Sequence, residues 1–368
     1  MASTKNTDRI LALDLLRGYF IFVIIVDHLL RWPSILAWGT GQGRLWVSAA
    51  EGFFIISGLL VGYTRGYKKR NIPFKKLVAL LYKRAAILYF SGLIATVILL
   101  LIAYRSSFPE PLLPTLPIAN QSAASYIWGI LSQQYVFEWV YFLKLYWIML
   151  LVAPVFLWLL RKRRVAAYII MTLVIWIIGI LHNYEWMQWQ VLFFIPALAG
   201  YYLEPIRLWW QALSNTKRRQ VRAATISVAL LSVALSVFFV FGWTVVEKPD
   251  PLITRAQYVD WRITLDPIFS HDPIGLGVVL LSFLWFSALF LFVRRYEDQL
   301  IKVTGWLLLP FGEQSLSAYI LHAFILIFVQ SQIGLTQNKL FNACLAISVV
   351  LTVWLLLKVP LIKKILPR

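Results

Sequence analysis

Cysteine and acidic residues are scarce in this 368-residue chain. It has 16 Asp and Glu against 35 Lys and Arg, and its single cysteine is Cys344. One cysteine excludes an internal disulfide and a zinc site built from cysteines. The sequence also lacks a Walker phosphate-binding loop, a Gly-x-Gly-x-x-Gly fingerprint and a Gly-x-Ser-x-Gly nucleophile elbow. These absences argue against an enzyme that is built around any of those three motifs.

Apolar residues are abundant in their place. The chain is 60% hydrophobic, with a mean hydropathy of +0.74, which is more apolar surface than a soluble domain can bury. We therefore predict an all-α polytopic membrane protein of about ten transmembrane helices, forming one integral-membrane domain over residues 1–368. The spans are expected at about 10–31, 45–64, 85–104, 137–160, 165–181, 188–203, 223–243, 273–293, 313–330 and 341–358.

The basic residues indicate the orientation of these spans. With the N-terminus inside, the segments expected in the cytoplasm hold 27 of the 35 Lys and Arg. This asymmetry follows the positive-inside rule and predicts that both termini are cytoplasmic. It also accounts for most of the net charge of +19 without nucleic acid as a partner. We expect a multi-pass protein of the inner (cytoplasmic) membrane, in contact with membrane lipids.

Ionisable residues lie inside the first two spans. Asp14, Arg17, Asp27 and His28 fall in the first span, and Glu51 falls in the second. Residues eleven apart on a helix return to nearly the same face, so Arg17 and His28 belong to one polar stripe. Charges within apolar spans are costly and mark a functional site by default. The alternative is that Asp14 and Arg17 form an ion pair that only fixes helix packing.

Two stretches carry a resemblance to a known family. The first comprises Leu13-Asp14-x-x-Arg17-Gly18, the histidine that ends span 1, and the run Glu51-Gly-Phe-Phe-Ile-Ile-Ser57-Gly58. The second is Gly312-x-x-Ser315-Leu-x-x-Tyr319-x-x-His322. Together they resemble the acyltransferase 3 family and its relatives in the transmembrane acyltransferase superfamily. The Asp-His doublet and the Ala-Ala-Glu before the Phe-rich run are closest to the OpgC-like branch, which is associated with succinylating periplasmic glucans.

The resemblance implies a reaction and a base for it. His28 would accept the proton of an attacking hydroxyl, with Asp27 or Glu51 as its support. The co-substrate would be acetyl-CoA or succinyl-CoA, and no cofactor would be bound. The acceptor would be a hydroxyl of an extracytoplasmic glycan or glycolipid. The acyl group, the acceptor, the choice between direct transfer and an acyl-imidazole intermediate, and a homo-oligomer are all left open.

Further residues are candidates for substrate binding. Arg17 and Arg84 are expected to meet the phosphates or the pantetheine arm of acyl-CoA, although the Lys83-Arg84 stretch lacks the proline of the family signal that it resembles. The remaining members of the set are Asp14, Ser57, Ser315, Tyr319 and His322. No metal site is expected, because the spacing of His271 and its acidic neighbours matches no ligand set and such loop residues are usually solvated.

A transporter or flippase for a glycan or lipid-linked substrate is the alternative function. Intramembrane charges also suit a proton-coupled carrier. Against this stands the absence of paired, interrupted helices in matching halves of the sequence. A sensor without turnover would leave the histidine and its carboxylates unexplained.

Overall fold

The computed structural model describes residues 10–108, 122–248 and 252–367. The residues before the first predicted span, residues 109–121 and Asp250 lie outside these ranges. Within the described ranges the fold is helical. Its β content there is one isolated bridge, between His271 and Ile274.

Eleven helices form the framework. They are α1 Leu11–His28, α2 Ala49–Leu60, α3 Phe74–Arg105, α4 Tyr141–Arg161, α5 Val165–Leu181, α6 Val191–Tyr201, α7 Asn215–Phe241, α8 Leu276–Arg295, α9 Glu297–Glu313, α10 Ser315–Gln332 and α11 Lys339–Leu356. Shorter helices connect them, and α2 continues without a break into a π-helix at Val61–Tyr67.

Six helical segments in the described residues are long and apolar enough to cross a membrane. They are α3, α4 with its preceding turn, α7, α8, α10 and α11, and a seventh is counted if Glu185–Tyr201 and Leu203–Ala212, bent by 64°, form one span. The chain is therefore a multi-pass membrane protein. The predicted count of ten and the cytoplasmic termini stay predictions.

The two spans that carry the ionisable residues are not among these six. The 18 residues of α1 include three charged residues, Asp14, Arg17 and Asp27. The α-helical part of α2 is only 12 residues long before the π-helix begins. Both helices are nevertheless buried along most of their length. They form the centre of the helical core rather than its lipid-facing rim.

Helix α9 occupies the stretch between the predicted spans at 273–293 and 313–330. Its first two turns contain Glu297, Asp298 and Lys302, which made the stretch resemble a polar connection. The helix packs directly on α1. A Cβ atom at Gly18 would lie 2.0 Å from the carbonyl oxygen of Leu308, and one at Gly312 would lie 2.0 Å from that of Asp14. The two backbones are thus in contact, and both glycines are required for it.

The same device holds α2 against α6. A Cβ atom at Gly58 would lie 2.0 Å from the carbonyl oxygen of Phe193, and one at Gly62 would lie 1.9 Å from that of Ala197. Small residues permit such close approach between membrane helices, where van der Waals packing drives association. Helices α1 and α2 are therefore each held by a partner at backbone contact, which fixes the positions of their polar side chains.

These contacts predict which glycine substitutions destabilise the protein. Gly18→Ala and Gly312→Ala should each lower the free energy of unfolding by about 1–3 kcal/mol, because a methyl group has no room against a backbone carbonyl. Gly129→Ala is the matched control, since a Cβ atom there meets no atom within 4 Å. Melting temperatures of the detergent-solubilised variants would test this. Equal melting temperatures for all three would contradict the backbone contact.

Candidate functional site

Two contacts between side chains join α1 to α10. A guanidinium nitrogen of Arg17 donates to the hydroxyl of Ser315. Eleven residues further along α1, Nδ1 of His28 lies 3.0 Å from Nε2 of His322. The later residue of α1 contacts the later residue of α10, so the two helices run in the same direction. The structure thus joins the first and second stretches of the predicted site into one interface.

The two histidines differ in exposure. His322 is fully buried, with 0% of its surface accessible, whereas His28 is half-buried. Their ring centroids are 5.2 Å apart. Nδ1 of His322 faces the carbonyl oxygen of Tyr319 one turn earlier. The Tyr319 ring packs against His322 at 4.9 Å and against Phe142 at 5.6 Å, so it forms one wall of the pair.

Backbone contacts beyond the histidines fix the register of the two helices. The side-chain amide of Gln330 donates to the carbonyl oxygen of His28 at 3.2 Å. Arg31 donates to the carbonyl oxygens of Ile333 and Gly334, at 2.6 Å and 2.5 Å. A guanidinium at this place satisfies the free carbonyls at the end of α10. The ends of α1 and α10 are therefore tied together next to His28.

The other predicted members of α1 and α2 are buried nearby. Arg17 also lies over the ring of Phe53 at 5.8 Å, so it contacts both α2 and α10. Asp14 is 8% exposed, one turn before Arg17. Ser57 is 3% exposed on α2. Arg84 lies on a different helix, in the first half of α3, and is half-buried.

Glu51 is held by residues other than His28. One carboxylate oxygen accepts hydrogen bonds from the backbone N–H and the hydroxyl of Ser48, at 2.8 Å and 2.5 Å, which caps α2. The other oxygen lies 3.0 Å from Nδ1 of His271. The role of Glu51 as a support of His28 stays a prediction. In this structure Nδ1 of His28 meets His322, and Glu51 meets His271.

His271 is a residue that sequence reasoning assigned to a solvated loop. Its Nε2 lies 3.1 Å from the carbonyl oxygen of Leu45, so both ring nitrogens face acceptors. Burial lowers the pKa of His271, but the hydrogen bond and charge of Glu51 outweigh burial, and the net shift is upward. The two partners are 220 residues apart, and no spacing in the sequence pairs them.

The carboxylate of Asp27 lies next to the segment that follows α1, and its Oδ1 is buried without a hydrogen-bond partner among the described residues. Its carboxylate interacts with the side chain of Thr40 and the backbone of Gly43. A cavity of about 90 Å³ opens beside this segment, lined among others by Tyr19, Thr40 and Ser282. Asp27 thus faces the segment around Thr40 and Gly43, while His28 faces α10.

A comparison with protein families decides the class of the protein. A family model described as an acyltransferase domain matches residues 10–359. The chain belongs to the acyltransferase 3 family. No curated protein and no solved structure gives a significant match. The resemblance is confirmed at the level of the family, and the chain is a membrane acyltransferase. The OpgC-like branch stays a prediction.

Family membership also bears on the alternative function. The match is to an acyltransferase domain, which favours the acyltransferase over the transporter or flippase. In the part of the chain that the structure describes, no group of three or more His, Cys, Asp or Glu residues is arranged to hold a metal ion.

Lys144 of the acyltransferase has a partner that sequence spacing did not suggest. It lies at the start of α4, with its ammonium 5.0 Å from the ring of Tyr141, and the carboxylate of Glu185 acts on it electrostatically. The hydroxyl of Tyr141 donates to the same carboxylate. A half-buried lysine in a membrane helix requires such compensation, and Glu185, at the start of the short helix Glu185–Trp189, provides it.

The contact of Glu51 with His271 predicts a pH-dependent contribution to stability. Since the pKa of His271 is raised in the folded state, the contribution is fully present below the ordinary pKa of about 6.5 and is lost as the pH rises through the raised value. A charge-assisted hydrogen bond, discounted because His271 is about a third exposed, is worth about 1 kcal/mol.

Melting temperatures of wild type and His271→Gln, measured from about pH 6 upward, would test this. The variant should melt earlier than wild type at the acidic end, and the gap should narrow with rising pH. His182→Gln, at an exposed position, is the matched control and should melt with wild type throughout. A gap for His271→Gln that is constant over the whole pH range would contradict the ion pair.

Proposed function

We propose that this acyltransferase takes an acetyl or succinyl group from cytoplasmic acyl-CoA and transfers it to a hydroxyl of an extracytoplasmic glycan or glycolipid. The observation that carries the proposal is the contact of His28 with His322 within a family of acyltransferases. One residue is half-buried and the other is fully buried in the core. This is the arrangement of a base and a group that orients it.

In the proposed reaction His28 accepts the proton of the acceptor hydroxyl while the hydroxyl oxygen attacks the thioester carbonyl. The new C–O bond forms as the C–S bond breaks, and CoA leaves as a thiolate that takes the proton back from His28. We propose direct transfer, because this sequence needs a single base and no covalent enzyme intermediate. General-base assistance of this kind contributes about 10²–10⁴ to a rate.

The donor is proposed to enter from the side that bears the basic residues. Arg17 is eleven residues before His28, about 16 Å along a helix, so an extended pantetheine arm would span the gap between them. Arg17 is anchored by Ser315 and Phe53, and Arg84 on α3 is the second proposed contact for phosphate. Both arginines belong to the cytoplasmic set in the proposed topology, which rests on the distribution of Lys and Arg.

The acceptor is proposed to approach from the opposite side, past the carboxylates. Asp27 orders the segment around Thr40 and Gly43, and Glu51 orders the start of α2 and the segment at His271. We propose that Asp27 and Glu51 contribute to catalysis by holding these segments in place. Modification of a cell-envelope polysaccharide, as in the OpgC-like branch, is the proposed biological setting.

Replacement of His28 tests the proposal. Inverted membrane vesicles from cells that make their own envelope glycans would be supplied with radiolabelled acetyl-CoA or succinyl-CoA, and label in the glycan fraction would be counted. We predict that His28→Asn lowers transfer by about 10²–10⁴, because an amide does not accept the proton. Binding of acyl-CoA by the purified variant, followed by thermal shift, should stay near wild type.

The exposed His182 provides the control, since His182→Asn should transfer at the wild-type rate. Retention of more than about a tenth of the activity by His28→Asn, set against that expected loss, would remove His28 from the mechanism. Loss of acyl-CoA binding together with transfer would assign His28 to donor binding instead.

A further inference from the structure

We infer that His322 is a positioning residue that holds His28 in one tautomer, with the proton on Nδ1, so that Nε2 is the atom that receives the hydroxyl proton. The assignment of the tautomer rests on hydrogen-bond geometry and on the burial of His322. Its meaning for catalysis rests on the proposed function.

The tautomer of His322 is set by the backbone of α10. Nδ1 of His322 faces the carbonyl oxygen of Tyr319. A carbonyl oxygen only accepts hydrogen bonds, so Nδ1 of His322 carries a proton and donates it. In a neutral imidazole the other nitrogen is then an acceptor. Nε2 of His322 therefore presents a lone pair toward α1.

The contact between His322 and α1 then sets the tautomer of His28. Nε2 of His322 lies 3.0 Å from Nδ1 of His28. Since the first atom is an acceptor, the second must be the donor, and His28 is protonated on Nδ1. The opposite arrangement would require a proton on both nitrogens of His322. That ring is 0% exposed, and burial disfavours the charged form of an imidazole.

The second ring nitrogen of His28, Nε2, is the one left for a substrate. With Nδ1 donating to His322, its basic lone pair is on Nε2. His28 is half-buried and His322 is fully buried, so of the two residues only His28 keeps surface that a substrate could reach. His322 therefore acts through His28. When Nε2 takes a proton, the Nδ1–H of the resulting imidazolium still donates to His322, and the ring does not have to turn.

The number of histidines makes the tautomers directly measurable. The chain has four, so protein labelled with ¹⁵N-histidine gives at most eight ring nitrogen signals, which His28→Asn, His182→Gln, His271→Gln and His322→Gln assign. Nitrogen shifts separate protonated from unprotonated ring nitrogens. We expect His28 and His322 in wild type to be neutral, each with its proton on Nδ1.

His271 is an internal reference in the same spectrum. Its two nitrogens face the Glu51 carboxylate and the Leu45 carbonyl oxygen, so both should be protonated below the raised pKa of His271. A wild-type spectrum in which His28 is protonated on Nε2 and not on Nδ1 would overturn the inference. This measurement is made on wild-type protein and requires no substrate.

Kinetics of His322 variants supply the functional test. His322→Leu removes the acceptor, so the His28 signals should become a mixture of tautomers, and kcat should fall at least about tenfold with KM for acyl-CoA unchanged. His322→Gln offers an amide oxygen to Nδ1 of His28 and should recover part of kcat. A variant His322→Leu with wild-type kcat, or a raised KM as its only defect, would overturn the positioning role.

The outcomes separate the inference from the proposed function. The expected tautomer in a protein that transfers no acyl group would leave the inference standing and refute the function. Acyl transfer by a protein whose His28 is protonated on Nε2 would refute the inference and leave the function standing.

Discussion

The cost of burying polar groups in a membrane helix organises the centre of this protein. Helix α1 carries charged and imidazole side chains along one stripe, and each must be compensated within the core. Helix α10 supplies this compensation at two levels, through Ser315 for Arg17 and through His322 for His28. The ends of the two helices are closed by Arg31 on the carbonyls of α10. The site is therefore an interhelical interface, and its geometry depends on how closely the helices are held.

Glycine contacts hold them. The backbones of α1 and α9 touch at Gly18 and Gly312, and those of α2 and α6 touch at Gly58 and Gly62. Helices packed at this distance leave little freedom to slide or rotate. A base and its orienting group need positions that are constant to within a fraction of an ångström. The contact at Gly18 and Gly312 and the polar contacts with α10 therefore fix α1 against two neighbouring helices.

Helical periodicity predicted some of this site and could not predict the rest. The stripe of Arg17 and His28, and the common face of Ser315 and His322, follow from spacing along single helices. Which helix opposes which is a tertiary property, and 294 residues separate His28 from His322. The pairing of Glu51 with His271 was missed for the same reason. Helix α9 was missed because its charged first turns resemble a connection, and because its close contact with α1 is made at Gly312, a residue without a side chain.

Our central proposal is that this chain adds an acyl group to a hydroxyl outside the cytoplasm, at His28. Mass spectrometry of envelope glycans tests it most directly, with cells that carry the wild-type gene, the His28→Asn variant or no copy of it. The account predicts that in wild-type cells alone the glycans are heavier by an acetyl or a succinyl group. This added mass should be lost on mild alkaline ester hydrolysis. Identical glycan masses in all three strains, with the wild-type protein shown to be present in the membrane, would contradict the account.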